Sequence, residues 1–325
     1  MKNHLKSNKG GFLKSIGIFF LVVLILALIA LGCGYALLTS KLNNMQQIDI
    51  DETAITVNPE VEQNLNGYRN IALFGVDSRD NSFDNARSDA IIIVSINEKT
   101  NEVKLTSVYR DTYVNIDGYG LDKITHAYAY GGPELAMSTL NKNMDLNITE
   151  FVTVNFETVK TVVDSLGGIE LEITDAEAQQ IGFSSGGTYT LDGEEALAYS
   201  RIRKIDSDYQ RTERIRTVLD AVFEKVKTME VSEILDFVDV VLPLISTNIS
   251  SNKIIGMLPS APFYNISDSI GWPYNVEGFS SDAWYAVPVT LEDNVSELHK
   301  ELFDEEDYTP STTVQEISND IIYQT

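Results

Sequence analysis

The sequence predicts an α/β body with a mixed central β-sheet flanked by helices, carried behind a single N-terminal transmembrane helix. Three observations point there. Residues 70–76 (NIALFGV) and 90–96 (AIIIVSI) are apolar, β-branched runs of the length of buried strands. Strand-like and helix-like segments mix along the chain, which suits one sheet-and-helix layering. Residues 16–38 form an uncharged apolar run of 23 residues. At about 1.5 Å per residue that run reaches roughly 34 Å, enough to span a bilayer.

Taken in order, Lys2, Lys6, Lys9 and Lys14 precede the apolar run, and no acid occurs before Asp49. The positive-inside rule then puts residues 1–15 in the cytoplasm and 39–325 outside. The run exceeds a typical signal-peptide core of about 7–15 residues, so an uncleaved anchor is expected. Segment 39–69 is polar, carries Pro59, and reads as an extracellular spacer, with the ordered body beginning near Arg69. The turn NEKTNE at 97–102 joins 90–96 and 103–109 into a hairpin. A helix is expected over 123–144, interrupted at Gly131-Gly132-Pro133. A strand follows at 151–155, then a helix over 156–166 ended by Gly167-Gly168, and a strand at 169–173. Helices are expected near 193–202 and 209–228. Residues 229–302 continue with amphipathic helices, Pro/Gly/aromatic loops and a helix at 291–302. The tail from Phe303 is acidic and polar.

Composition excludes several function classes. Of 325 residues, 48 are acidic and 24 basic, a formal charge of −24. A surface so acidic repels a phosphate backbone, so no nucleic-acid partner is expected. One cysteine excludes an internal disulfide, a cysteine zinc cluster and an iron–sulfur site. Three histidines, His4, His126 and His299, leave few ways to build a metal centre or a nucleophile triad. Carboxylates, arginines and hydroxyls must carry the chemistry.

The arginines are gathered in the sequence. All nine lie between 69 and 216. In GVDSRDNSFDNARSDAIII, Asp77 and Arg79 follow the first strand, and Arg87 and Asp89 precede the next. If those strands are neighbours, the four side chains meet at one sheet end, as a magnesium site or as a salt-bridged loop clasp. In SVYRDTYVNI, Arg110 and Asp111 follow a third strand at what should be the same end, where open sheets tend to bind ligands. In EALAYSRIRKIDSDYQRTERIR, Arg201 and Arg203 close one helix, while Arg211 and Arg214 share a face of the next. Five arginines in residues 201–216 exceed what local acids neutralise and imply an external polyanion. Lys123, in DKITHAYAYGGPE, can join that anion site. His126, beside Tyr128 and Tyr130, reads as a packed histidine.

The motifs together resemble the LytR–CpsA–Psr family of bacterial envelope proteins. They are Asp77-Ser-Arg79, Arg87-Ser-Asp89, Ser107-Val-Tyr-Arg110-Asp111, Lys123 to Gly132, Leu166-Gly-Gly168, and Ala196 to Arg203, in the family's order. The resemblance is dense over 70–228. Residues 284–320 also resemble the family's C-terminal extension. It implies an α/β/α sandwich, with 70–228 as the catalytic domain and 229–325 as an extension packed on it or following it. It implies an extracellular, membrane-anchored phosphotransferase. Such enzymes move a glycopolymer from a polyprenyl-pyrophosphate carrier to a cell-wall hydroxyl, usually on peptidoglycan, with Mg2+ as cofactor. Asp77 and Asp89 match the magnesium-linked acids. Arg79, Arg110, Arg201, Arg203 and Arg211 match arginines around the pyrophosphate. Arg87, Asp111, Lys123 and Arg214 fill the remaining site positions. The chain departs from the family at Arg214-Ile215, where members often carry Arg-Gln; the glutamine contact is missing or is replaced by Arg216. An envelope polyanion-binding protein and a polyprenyl-pyrophosphate hydrolase are the alternatives compatible with the same residues.

Overall fold

The computed structural model describes residues 40–324, except 79–82, 84–85, 203–204, 206–213, 216, 219–220, 223–224, 227, 258–259, 261–262 and 281–282. The expected anchor at 16–38 lies outside the described residues. Among the described residues no helix is long and apolar enough to cross a membrane.

A seven-stranded mixed sheet forms the centre. Its strands are β1 (Gln46–Gln47), β2 (Tyr68–Val76), β3 (Ser88–Asn97), β4 (Glu102–Val108), β7 (Glu150–Asn155), β10 (Ser246–Thr247) and β11 (Asn265–Trp272). They lie in the order β1-β10-β7-β2-β3-β4-β11. Three two-stranded ribbons flank it: β5 (Tyr113–Ile116) with β6 (Gly120–Lys123), β8 (Ile169–Ile173) with β9 (Gly187–Leu191), and β12 (Val276–Ser280) with β13 (Trp284–Pro288). The helices are α1 (Pro59–Asn64), α2 (Ile124–Met144), α3 (Phe156–Ser165), α4 (Asp175–Gln180), α5 (Gly193–Ser200), α6 (Val231–Val241), α7 (Ser251–Met257), α8 (Leu291–Phe303) and α9 (Thr312–Gln324).

Both sheet faces are covered, which is why the strands read as unbroken apolar runs. Along β2, Ala72, Phe74 and Val76 pack with Tyr128 and Met137 of α2, Leu298 of α8 and Ile317 of α9. The alternate residues Ile71 and Leu73 pack on the other side with Val163 of α3, Ala196 of α5 and Phe237 of α6. This is the period-2 alternation of a strand between two helical layers. The expected hairpin is present as antiparallel β3–β4. The expected break in α2 falls at Gly131 and Gly132, and Gly132 takes φ +63°, a conformation suited to glycine.

One expectation is corrected. Segment 39–69 is not a free spacer from residue 40 onward. Leu42, Met45, Ile55, Val61 and Leu65 are buried, β1 pairs with β10, and Asn58 caps α1. The polar composition hid these because the apolar residues are too widely spaced to form a periodic run. Of the two arrangements left open for the C-terminal extension, the tail after Phe303 takes the packed one. Val314, Ile317 and Ile321 of α9 are buried, and the Tyr308 hydroxyl and the Ser311 amide both donate to Asp145 Oδ2, at 3.0 and 2.7 Å.

Candidate active site

Strand direction brings the motif residues together. β2 and β3 run antiparallel, β3 and β4 antiparallel, and β2 and β7 parallel. The C-terminal ends of β2, β4 and β7 and the N-terminal end of β3 therefore share one sheet edge. Asp77, Asp89, Arg110 and Asp111 all sit there.

A register shift shapes this edge. Gly75 pairs with Ala90 and Val76 with Ser88, so Asp89 is the extra residue of a bulge. Bulges re-aim side chains next to functional sites. Here Asp89 is buried and accepts from Arg110 Nη1 at 2.8 Å. Gly75 is needed for the close approach, because a Cβ there would lie 3.0 Å from Ala90 Cβ. The Asp77 amide donates to the Arg87 carbonyl at 3.0 Å, closing the loop between the two strands.

Four cation–carboxylate pairs follow. Arg110 meets Asp89 and also Asp111, its Nε lying 3.4 Å from Asp111 Oδ2. Lys123 Nζ donates to Asp111 Oδ1 at 2.7 Å. Arg201 Nη2 donates to Asp77 Oδ1 at 2.6 Å, joining the end of α5 to the end of β2. The pairs of Arg110 and Lys123 are largely buried, whereas Arg201 is 39 % exposed and Asp77 35 %. Low dielectric strengthens the buried pairs and holds the guanidinium of Arg110 in one orientation.

Local structure explains why Lys123 is there. It is the residue before α2, extended at φ −66° and ψ 135°. The first amides of α2 are satisfied by this edge: Ile124 donates to the Thr112 carbonyl at 2.9 Å and Thr125 to the Arg110 carbonyl at 3.1 Å. The C-terminal extension also reaches the site. The Ala286 amide of β13 donates to the Asp111 carbonyl at 2.9 Å, and Lys123 Nζ lies 5.2 Å from the centre of the Tyr285 ring.

Arg214 has a different setting from the one expected. It is buried, its Nε donates to Glu177 Oε1 at 2.8 Å, and its Nη1 donates to the Ile202 carbonyl at 3.1 Å. The partner lies 37 residues upstream, out of reach of any local pattern. Burial pushes the Glu177 carboxyl up, but hydrogen bonds from Thr174 and from Arg214 outweigh it and hold the group below its ordinary range. Glu177 therefore stabilises the fold above the ordinary glutamate value, and that contribution is lost as pH falls through its lower folded value. Arg214→Gln should lower stability at neutral pH by about 3 kcal/mol, because it leaves a poorly exposed carboxylate unpaired. It should also flatten the acid limb of stability against pH, read by chemical denaturation. An unchanged unfolding midpoint would show that the pair stabilises nothing.

Arg87 is exposed at the same edge. Arg79, Arg203 and Arg211 lie outside the described residues, as does Arg216.

A cluster beside Lys123 is absent from the sequence reading. Asp122 Oδ2 accepts from the Tyr130 hydroxyl at 2.7 Å and lies 2.9 Å from His126 Nδ1. Burial pushes the Asp122 carboxyl up, but the bonds from Tyr130, His126 and the Lys123 amide hold it below its usual range. His126 packs beside Tyr130 as expected and is also tied to a carboxylate. The spacing 122, 126 and 130 was a usable signal, though Asp122 belongs to β6 and the other two to α2.

The carboxylates at the two strand ends offer the oxygen donors that a hard divalent ion prefers, so their chemistry fits magnesium. Their ion pairs with Arg201 and Arg110 show that the same oxygens also order the guanidinium groups.

The family model described as LytR_cpsA_psr matches residues 34–271, well over half of the chain. The chain belongs to the LytR–CpsA–Psr family. Among family members, the polyisoprenyl-teichoic acid–peptidoglycan teichoic acid transferase TagT of Bacillus subtilis strain 168 is 38 % identical over 223 residues. That alignment covers 64 % of this chain and 69 % of TagT. The TagU transferase of the same strain is 39 % identical over 197 residues, covering 59 % of this chain and 62 % of TagU, so less than two thirds of that relative is spanned. A solved structure of TagT bound to LI-WTA matches with a TM-score of 0.59 at 30 % identity, over 80 % of this chain and 94 % of that one. A TagT structure with bound octaprenyl pyrophosphate lipid matches with a TM-score of 0.54 at 28 % identity, over 79 % and 94 % of the two chains. The LytR–CpsA–Psr fold and the motif-bearing sheet edge therefore occur together in this chain.

Proposed function

We propose that this chain is a membrane-anchored envelope phosphotransferase. It moves a teichoic-acid-type glycopolymer from a polyprenyl-pyrophosphate carrier to a peptidoglycan hydroxyl. The observation that carries this reading is the sheet edge where Asp77–Arg201, Asp89–Arg110 and Asp111–Lys123 converge. The names of the related transferases and the lipid-bound TagT structure support it.

Phosphoryl transfer needs mainly positioning and charge neutralisation. Arg110, Arg201, Arg87 and Lys123 would take the pyrophosphate oxygens, with Arg79, Arg203 and Arg211 supplementing them. Asp111 holds both Arg110 and Lys123, so it sets where their donors point. Asp77 and Asp89 would hold Mg2+, which supplies further neutralisation of the phosphate oxygens. Arg214 acts at a distance: by gripping the Ile202 carbonyl it fixes the segment that follows Arg201. Outside the membrane there is no ATP supply, so the donor must bring its own activated bond. The apolar run 16–38 would keep the enzyme beside that lipid.

Calorimetric titration with a short-chain polyprenyl pyrophosphate and with the matching monophosphate tests the donor assignment. The pyrophosphate should bind more tightly, and Arg201→Ala should weaken it by about tenfold, the share of one partly exposed charge-assisted hydrogen bond. Equal binding of the two lipids, or no effect of Arg201→Ala, would contradict it.

A further inference from the structure

We propose that Tyr119 and Tyr130 form a stacking platform for a neutral sugar ring of the acceptor glycan. This rests on the transferase reading, whose acceptor is a wall polysaccharide, and adds to it the place where that polysaccharide docks.

The two rings lie face to face, with centroids 4.1 Å apart and planes 12° from parallel. Both are exposed, Tyr119 at 55 % and Tyr130 at 41 %, although aromatic rings usually bury their area. The pair is fixed in advance. The Tyr130 hydroxyl donates to Asp122, and Asp122 also holds His126, whose ring lies 5.8 Å from that of Tyr130. A platform ordered before its ligand arrives loses little entropy on binding.

Its location suits an acceptor. Strand β6 leads from this platform to Lys123, four residues beyond Tyr119, roughly 13 Å at strand rise. Lys123 is bound to Asp111 of the phosphate site. An extended glycan with one hydroxyl at the arginines would therefore lay a neighbouring sugar near the rings. Binding energy gained away from the reacting hydroxyl can be used to position it.

Charge favours the acceptor over the donor polymer. Around the rings Asp117 is paired with Lys142 and Asp122 with His126, so among the described residues the patch offers a polyanion no excess of positive charge, on a chain of net charge −24. A neutral sugar offers C–H faces to the rings. His126 Nε2 makes no hydrogen bond among the described residues and stands beside them as a polar partner for a hydroxyl or acetamido group.

The test titrates the detergent-solubilised full chain with a soluble β-1,4-linked N-acetylhexosamine tetrasaccharide, followed by saturation-transfer NMR. The tetrasaccharide should bind, with saturation of the aromatic protons passing to its C–H protons. Tyr119→Ala should weaken binding by about tenfold, the equivalent of about 1.4 kcal/mol for one aromatic contact. Tyr119→Phe keeps the ring and should bind normally. In transfer assays Tyr119→Ala should raise KM for the acceptor and leave the affinity for polyprenyl pyrophosphate unchanged. No binding to the unaltered chain, or equal binding by Tyr119→Ala, would reduce the stack to a hairpin clasp and overturn the proposal. Donor affinity is read separately, so that result would leave the transferase reading standing. Loss of donor binding with saccharide binding intact would do the reverse.

Discussion

An Arg110→Lys chain should fold normally yet transfer polymer roughly 10- to 150-fold more slowly, the value of one charge-assisted hydrogen bond of about 1.5–3 kcal/mol. Arg110 is the hub of the site, with Nη1 on Asp89 and Nε near Asp111. A lysine ammonium is a point charge. It can keep one carboxylate but cannot hold both and also present a flat fork to phosphate. Arg110→Ala should do more, because it strands the poorly exposed Asp89 carboxylate and should destabilise the fold by about 3–5 kcal/mol. The pair of variants separates catalysis from folding. The measurements are kcat/KM with a lipid-linked donor and the unfolding midpoint. Near-normal transfer by Arg110→Lys would remove the guanidinium fork from the account.

Asp77→Ala and Asp89→Ala should each slow transfer by roughly a hundredfold or more, the scale of losing several kcal/mol of charge stabilisation on phosphate. Both variants should need more Mg2+ to reach half their maximal rate. The two should differ in stability. Asp89 is buried in the bulge and bound to Arg110, so its loss should lower the unfolding midpoint. Asp77 is more exposed, so its loss should leave that midpoint nearly unchanged. Normal turnover with both variants would make these aspartates loop clasps only. Dependence on one alone would point to indirect positioning through Arg201 or Arg110.

The parts legible in the sequence were those with dense local patterns. β2 and β3 were readable because both faces are buried, which makes every position from 71 to 74 apolar. The turn at 97–102 made β3 and β4 a hairpin, whereas the meeting of Asp77 with Asp89 at one sheet end depended on β2 and β3 being neighbours, which their antiparallel pairing supplies. The bulge at Asp89 was not readable, since it follows from the pairing of Gly75 with Ala90. Arg214 looked like its neighbours in an arginine-rich stretch, and only the distant Glu177 shows that its charge is already matched. Helix α9 did carry a signal: Val314, Ile317 and Ile321 are spaced three and four apart, the stripe of an amphipathic helix. The acidic composition around it masked that stripe. Segment 40–67 carried no comparable signal, because its buried residues are held by contacts made far along the chain, such as the Gln46 amide to the Ile245 carbonyl.

The central claim is that this site joins a polymer to the wall rather than holding it or releasing it. Incubating the full chain with a lipid-linked, radiolabelled teichoic-acid precursor, peptidoglycan and Mg2+ tests it most directly. Label should accumulate in insoluble peptidoglycan as polyprenyl phosphate is released in equal amount, and should stay there until a peptidoglycan hydrolase is added. Label leaving the lipid as free polymer would identify a hydrolase. Label remaining on the lipid while bound to the protein would identify a polyanion-binding module, and either result would contradict the transferase account.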